Sequence, residues 1–155
     1  MEEKSHLFSG LFSRKLEGKM ALRFDKVIDV STRLIGDDAP SLMIEMEYMS
    51  TLSVNRYKTA NGITRSEVQD WMQQLAKIIS MSVNSVNLRF EPPIKIRLGA
   101  VFADRRHPDM DNLLKVVGDS VAMGLQINDK LFQYQTETPE VGGYARLIIT
   151  IGNAT

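Results

Sequence analysis

The chain has 155 residues, 43% of them hydrophobic and 25% charged, and its 19 basic and 19 acidic side chains cancel; this composition excludes a fibre or a disordered tail. The chain has no cysteine, which excludes a disulfide, a thiolate zinc site and a cysteine nucleophile. Its two histidines are too few for a histidine-rich metal site, so any metal is a hard ion held by oxygen. No apolar run approaches the ~20 residues that span a bilayer, and the N-terminus has no secretory apolar region, so we expect a cytoplasmic protein without a membrane partner.

The first predicted strands lie between residues 26 and 48. Residues 41–48 alternate between apolar and polar side chains, as in a half-buried strand, and the turn sequence GDDAP precedes them at 36–40. Residues 26–35 are a candidate hairpin partner for that strand.

Two helices and three further strands follow. Thr64 and Glu67 form a capping-box pattern, and the apolar stripe after them predicts a helix over 65–81 with a buried Trp and Met face. The later predictions are a strand at 94–102, a helix at 110–124 and strands at 131–138 and 143–151. The order β-α-β-α-β-β predicts an α+β fold, a mixed sheet with two helices packed on one face.

Charge is unevenly distributed along the chain. Residues 51–106 hold nine basic and four acidic residues, whereas residues 107–155 hold three basic and six acidic residues. Such an arrangement suits a protein that attracts a polyanion and gathers carboxylates around a cation. Clustering by chance is the alternative that these counts leave open.

The segment most informative about chemistry spans residues 103–132. On the helix at 110–124, Leu113 and Val117 share the core face, and Asp111, Lys115 and Asp119 share the opposite face. Two further acids belong to the same group: Asp109 at the helix entrance and Asp129 at the start of the next strand, which we expect to lie nearby. Each acid also has a structural interpretation as a helix cap, a turn residue or part of a surface charge ladder.

Taken together, these residues indicate phosphodiester chemistry. Magnesium-dependent hydrolysis needs carboxylates to hold one or two metal ions and cations to neutralise the phosphate. Both kinds of group are present, since the carboxylates are those of Asp109, Asp111 and Asp129 and the cations are Lys115, Arg105 and Arg106.

The pattern R-x2-D-x-D-N-x2-K-x3-D, which runs here from Arg106 to Asp119, resembles the signature of the RusA family of Holliday-junction resolvases. The segment SVNRYKT at 53–59 is similar to that family's Asn-Arg-Tyr entry to a DNA-contacting loop. The resemblance covers residues 41–151, and residues 1–40 would be an N-terminal extension, for which a hairpin added to the sheet is one possible role. It implies a RusA-like endonuclease domain over 41–155.

The resemblance also implies site roles and partners. Asp109, Asp111 and Asp129 would be catalytic carboxylates that bind Mg²⁺, with Mn²⁺ as a possible substitute, and Lys115 would be a catalytic or phosphate-contacting lysine. The family are homodimers that nick four-way junctions symmetrically, many of them encoded by phages or prophages. One departure is Asn128, which stands where the family usually has the first Asp of an Asp-Asp pair; it removes a charge.

The leading hypothesis is therefore a structure-selective DNA endonuclease that resolves four-way junctions by paired nicks, leaving 5′ phosphate and 3′ hydroxyl ends. The predicted DNA-binding residues are Asn55, Arg56, Lys58, Arg65, Arg105, Arg106 and Asn112. One alternative is a dimer that binds branched DNA with weak or no cleavage. Another is a different D-x-D enzyme, such as a haloacid-dehalogenase phosphatase or a glycosyltransferase. His107 could donate to a phosphate or lie idle in its loop, and we favour the idle interpretation. Asp119 would orient Lys115, or it would hydrogen-bond to one of the residues that bind the metal.

Overall fold

The computed structural model describes residues 2–6, 24–35 and 40–154, with backbone alone at 2–6, 34 and 35. In chain order the elements are β1 (Glu2–His6), β2 (Val27–Ile35), β3 (Ser41–Glu47), α1 (Ser66–Ser85), β4 (Ile94–Phe102), α2 (Leu114–Leu125), β5 (Phe132–Thr136), β6 (Glu140–Val141) and β7 (Arg146–Asn153). This arrangement confirms the predicted α+β class. Neither helix in the described part of the chain is long and apolar enough to cross a membrane.

One mixed sheet runs through the molecule in the order β1-β2-β3-β7-β4-β5, with β6 also paired to β4. All pairs are antiparallel except β4 with β5 and β4 with β6, which are parallel. The parallel pair β4 and β5 needs a crossover connection, and α2 lies within it. The strand β7 therefore lies in the middle of the sheet, although it is the last strand in the chain.

The core lies between the sheet and the two helices. Alternate residues of β3, β7 and β4 point to this side, among them Ile44, Ile149 and Ile96, and all three are fully buried. Trp71 of α1 is also fully buried, and its indole N–H donates to the carbonyl of Glu47 at 2.8 Å. The indole thus satisfies its one polar group while it joins the helix to the end of β3, as the prediction of a core Trp and Met stripe requires.

The predicted hairpin of residues 26–35 with residues 41–48 is confirmed, because β2 pairs antiparallel with β3, with Val30 opposite Ile44. β1 adds to the outer edge of β2. Most of the turn predicted at 36–40 lies outside the described residues. The division of the chain at residue 40 remains a prediction.

The predicted capping box before α1 is wrong. The helix begins at Ser66 after Arg65, which has an extended conformation, and no side chain caps it. Thr64 instead forms an isolated antiparallel bridge with Lys58, which fixes its backbone in a hairpin. The helix continues to Ser85, four residues beyond its predicted end.

Candidate active site

The connection from β4 to α2 carries the first two predicted carboxylates. Asp109 is extended, and residues Met110–Leu113 then form a 3-10 turn that leads into α2. Met110 and Leu113 are buried in this turn, so Asp109 and Asp111 are left exposed beside them. The Asp109 carboxylate makes no capping hydrogen bond. Helix capping, its simplest structural role, therefore does not explain this residue.

Lys115 lies in the first turn of α2 and pairs with Asp119 one turn later. Its Nζ lies 3.2 Å from a carboxylate oxygen of Asp119. This hydrogen bond and charge raise the pKa of Lys115, with smaller contributions from Tyr57 and Asp129. The ammonium group is therefore cationic throughout the neutral range, and Asp119 holds it at the helix surface, as the i,i+4 spacing predicted.

Asp129 belongs to a 3-10 turn, Asp129–Leu131, that precedes β5. The Asn128 side-chain oxygen caps this turn by accepting the Lys130 backbone N–H at 2.9 Å. The negative charge of Asp129 contributes to raising the pKa values of both Lys115 and Tyr134, so Asp129 lies beside the charged side of α2. In this chain, Asn128 thus stabilises the turn that carries Asp129.

Tyr134 is a neighbour of this group that the sequence did not single out. A Cβ placed on Gly118 would lie 3.1 Å from Tyr134 Cζ and in still closer contact with its hydroxyl, so the tyrosine ring lies directly over this glycine. Burial raises the pKa of Tyr134, and the charges of Asp129 and Asp119 add to the effect. The missing side chain at position 118 is the one sequence signal of this contact.

The three predicted metal ligands are not gathered into one cluster. Among the described residues, no group of three or more His, Cys, Asp or Glu side chains is arranged to hold a metal ion. The strand register explains part of this separation. Phe132, three residues after Asp129, pairs with Ile94 at the start of β4, whereas the chain leaves for Asp109 from the other end, at Phe102.

The donor chemistry of these acids nevertheless fits a hard divalent cation. The carboxylates of Asp109, Asp111 and Asp129 form no hydrogen bond or ion pair with any described residue. Carboxylate oxygens are the donors that Mg²⁺ and Mn²⁺ prefer. The joint metal site of these three residues stays a prediction.

Four of the predicted DNA-binding residues line one open cleft of about 340 Å³. They are Asn55, Arg56, Arg106 and Asn112, and the cleft is completed by Tyr48, Ser50, Ser53, His107 and Pro108. The backbone N–H of Val54 donates to the carbonyl of Asn112 at 2.8 Å, which fixes the loop beside the entrance of α2. Two segments that are far apart in sequence thus form one polar, cationic surface next to Asp111.

The other three predicted DNA-binding residues lie outside this cleft. The Arg65 guanidinium donates from Nε to the carbonyl of Arg56 at 2.8 Å, so it supports the loop that carries Arg56. The Lys58 ammonium lies 5.3 Å from the centre of the Tyr57 ring, and Arg105 is exposed.

Arg106 in the cleft wall has an acidic partner. Its guanidinium lies 3.2 Å from a carboxylate oxygen of Asp104. The Arg106 backbone N–H also donates to Asp104, and these contacts lower the pKa of the Asp104 carboxyl. Because both side chains are largely exposed, the pair is weak and the guanidinium can exchange its partner for a phosphate.

His107 is more ordered than its interpretation as an idle loop residue suggests. Its ring stacks on Phe102 with centroids 4.2 Å apart and planes 7° apart. Nδ1 lies 2.9 Å from the carbonyl oxygen of Pro108, which can only accept, so Nδ1 carries a proton. The residue is therefore a fixed part of the cleft wall.

Comparison with known protein families gives a match over most of the chain. The family model for endodeoxyribonuclease RusA matches residues 50–152. The matched region begins after β3, and it contains both helices, every predicted site residue and all the cleft residues except Tyr48. A search of curated proteins found no match.

Proposed function

The chain belongs to the RusA endodeoxyribonuclease family, whose members are DNA hydrolases associated with Holliday junctions, and from this premise we propose that it resolves four-way junctions by paired symmetric nicks. Each nick would leave a 5′ phosphate and a 3′ hydroxyl. The observation that carries the proposal is the cationic cleft beside the acidic entrance of α2. Family membership also removes the alternative D-x-D phosphatases and glycosyltransferases.

In this proposal, the cleft residues hold the sugar–phosphate backbone. Arg56 and Arg106 neutralise phosphates, while Asn55 and Asn112 donate hydrogen bonds to them. Contacts of this kind position DNA without reading its sequence, and binding should weaken steeply as salt rises. Lys58, Arg65 and Arg105 would extend the same cationic surface beyond the cleft.

Two of the proposed catalytic residues, Asp109 and Asp111, are chain neighbours of Pro108 and Asn112 in the cleft wall. Lys115, held by Asp119, would place its positive charge at the phosphate that is cleaved. Asp109, Asp111 and Asp129 would hold one or two Mg²⁺ ions, with Mn²⁺ as a substitute. Such an ion, when bound, activates water and stabilises the charge of the leaving oxygen.

A homodimer is part of the proposal because symmetric nicks need two matching sites. An isologous dimer presents the same site twice, related by a two-fold axis, and a four-way junction has a matching symmetry. The chain would act in the bacterial cytoplasm, encoded by a bacterium or by a phage.

The test compares an end-labelled four-way junction with a linear duplex of the same sequence, in Mg²⁺ and in EDTA. The native chain should nick the junction at symmetric positions only with Mg²⁺. Asp111→Asn should abolish nicking, whereas Glu91→Gln, which changes an exposed acid with no proposed role, should leave it intact. Full cleavage by Asp111→Asn would contradict the assignment of this carboxylate.

A dimer that binds branched DNA but cuts weakly or not at all is the second candidate. The capping contact of Asn128 favours it, because the amide adds no negative charge beside Asp129 and its oxygen is already engaged. In that case the chain would retain the junction on a gel in EDTA, and no nick would appear after Mg²⁺ or Mn²⁺ is added.

A further inference from the structure

This inference rests on the proposed function and concerns how the chain distinguishes a junction from linear DNA. The segment of residues 57–65, here called the basic hairpin, has the apolar side chain Ile63 near its tip. We infer that Ile63 is a wedge that inserts between bases at the branch point of a bound junction.

The basic hairpin is held by backbone hydrogen bonds and is not an irregular loop. Its two sides are joined at Lys58 and Thr64, and the Arg65 N–H donates to the Tyr57 carbonyl at 2.9 Å. Across the tip, the Thr59 N–H donates to the Ile63 carbonyl at 2.8 Å. Gly62 supplies the left-handed conformation that the turn needs, with φ of 79°. Ile63 is therefore held in a defined position.

Burial against the described residues does not account for this isoleucine. Its side chain is 61% exposed, and it is not among the residues packed against the hydrophobic core. An isoleucine with most of its surface in water gains little from folding. Its position is explained if a partner buries it.

The charge around the tip identifies nucleic acid as the partner. Arg56, Lys58 and Arg65 surround the tip in sequence, and residues 50–66 contain no acid. The base of the hairpin is joined to the cleft, because the Arg65 guanidinium donates to the carbonyl of Arg56, and the Tyr57 side chain contributes to raising the pKa of Lys115. A strand gripped at the cleft would therefore bring its neighbouring bases towards the hairpin.

The energetics favour insertion at a branch point. Side chains such as isoleucine act as wedges between base steps, and in a continuous duplex the unstacking costs a few kcal/mol per step. At a branch point the stack is already interrupted, so part of this cost is absent. Insertion of Ile63 would thus cost less free energy at a junction than in linear duplex. This difference would favour binding to the junction.

The test uses a four-way junction with 2-aminopurine next to the branch point, whose fluorescence rises when the base unstacks. The native chain in EDTA should raise the fluorescence. Ile63→Ser should lose most of this rise and lower the junction-over-duplex binding ratio by about tenfold, equivalent to ~1.4 kcal/mol. Val86→Ser is the matched control, because Val86 is an exposed residue at the far end of α1, and it should behave as the native chain.

Three results would overturn the inference. The first is an Ile63→Ser variant that raises the fluorescence as much as the native chain does and keeps its preference for the junction. The second is a native chain that binds and nicks the junction without raising the fluorescence, a result that would not contradict the proposed function. The third is a shift of Ile63→Ser from dimer to monomer in analytical ultracentrifugation, which would make the tip a protein interface. Failure of the native chain to prefer a junction over duplex, in both binding and nicking, would instead contradict the proposed function.

Discussion

The two helices follow the same packing rule but present different outer faces. Each buries one apolar stripe against the sheet, around Trp71 in α1 and around Val117 and Val121 in α2. The outer face of α2 carries the Lys115–Asp119 pair and faces Asp129, whereas none of the proposed site residues lies on α1. Amphipathic periodicity thus predicts where a helix packs, but the chemistry depends on what the neighbouring loops bring to its other face.

The largest effect should follow from Trp71→Ala in α1. It removes a fully buried side chain and the hydrogen bond to the Glu47 carbonyl. We expect the free energy of unfolding to fall by about 3–5 kcal/mol, measured by urea denaturation. A loss below 1 kcal/mol would show that α1 does not contribute to the core as described.

On the outer face of α2, Lys115→Met should affect activity and leave stability nearly unchanged. Loss of a charge that acts on the transition state costs about 10²–10³ in rate, while an exposed ion pair contributes ~0–1 kcal/mol to stability. The measurement is single-turnover junction cleavage with urea denaturation of the same samples. Lys77→Met on the exposed face of α1 is the matched control, and equal losses in the two variants would remove the distinction between the helices.

The contact between the helices can be tested at Gly124. Alanine in a helix normally stabilises by about 1 kcal/mol relative to glycine. Here a Cβ would lie 2.8 Å from the Ala76 carbonyl oxygen and 2.9 Å from Ile79 Cβ. Gly124→Ala should therefore destabilise the fold by about 1–3 kcal/mol in thermal or urea unfolding. A stabilised variant would mean that α1 and α2 lie further apart.

The smallest effects are expected at Asn128. Asn128→Ala removes the cap of the turn that carries Asp129 and should cost ~1 kcal/mol of stability. Asn128→Asp keeps an acceptor for the Lys130 N–H, so stability should stay near the native value while Mg²⁺ affinity rises. Unfolding curves and calorimetric Mg²⁺ titration distinguish these two effects, and equal destabilisation by both substitutions would contradict the capping role.

Strong periodicity made much of the fold predictable from the sequence. β4 begins at Ile94 and ends at Phe102, as its alternation predicted, and the pairing of β2 with β3 follows from two adjacent half-buried segments. The two-residue strand β6 gives no such signal, because its pairing depends on β4 rather than on its own side chains. The capping box failed for a similar reason, since Thr64 is held in a hairpin.

In the candidate site, the sequence predicted a contact within one helix but not the contacts between elements. The spacing of Lys115 and Asp119 fixes their contact within one helix. The position of Asp129 instead depends on the crossover from β4 to β5, whose register places Phe132 opposite Ile94. The contact of Tyr134 with Gly118 likewise exists because β5 is brought beside α2. Contacts between elements follow from strand order and register, which short motifs do not encode.

The most direct test of the proposed active site is a Mn²⁺ binding measurement by electron paramagnetic resonance, without DNA and without cleavage. Titration of the native chain should show saturable binding. Asp109→Asn, Asp111→Asn and Asp129→Asn should each weaken it by about tenfold or more, since each removes a carboxylate from the cation. Glu91→Gln should bind as the native chain. Native affinity in Asp129→Asn would contradict a metal site shared by the entrance of α2 and the turn before β5.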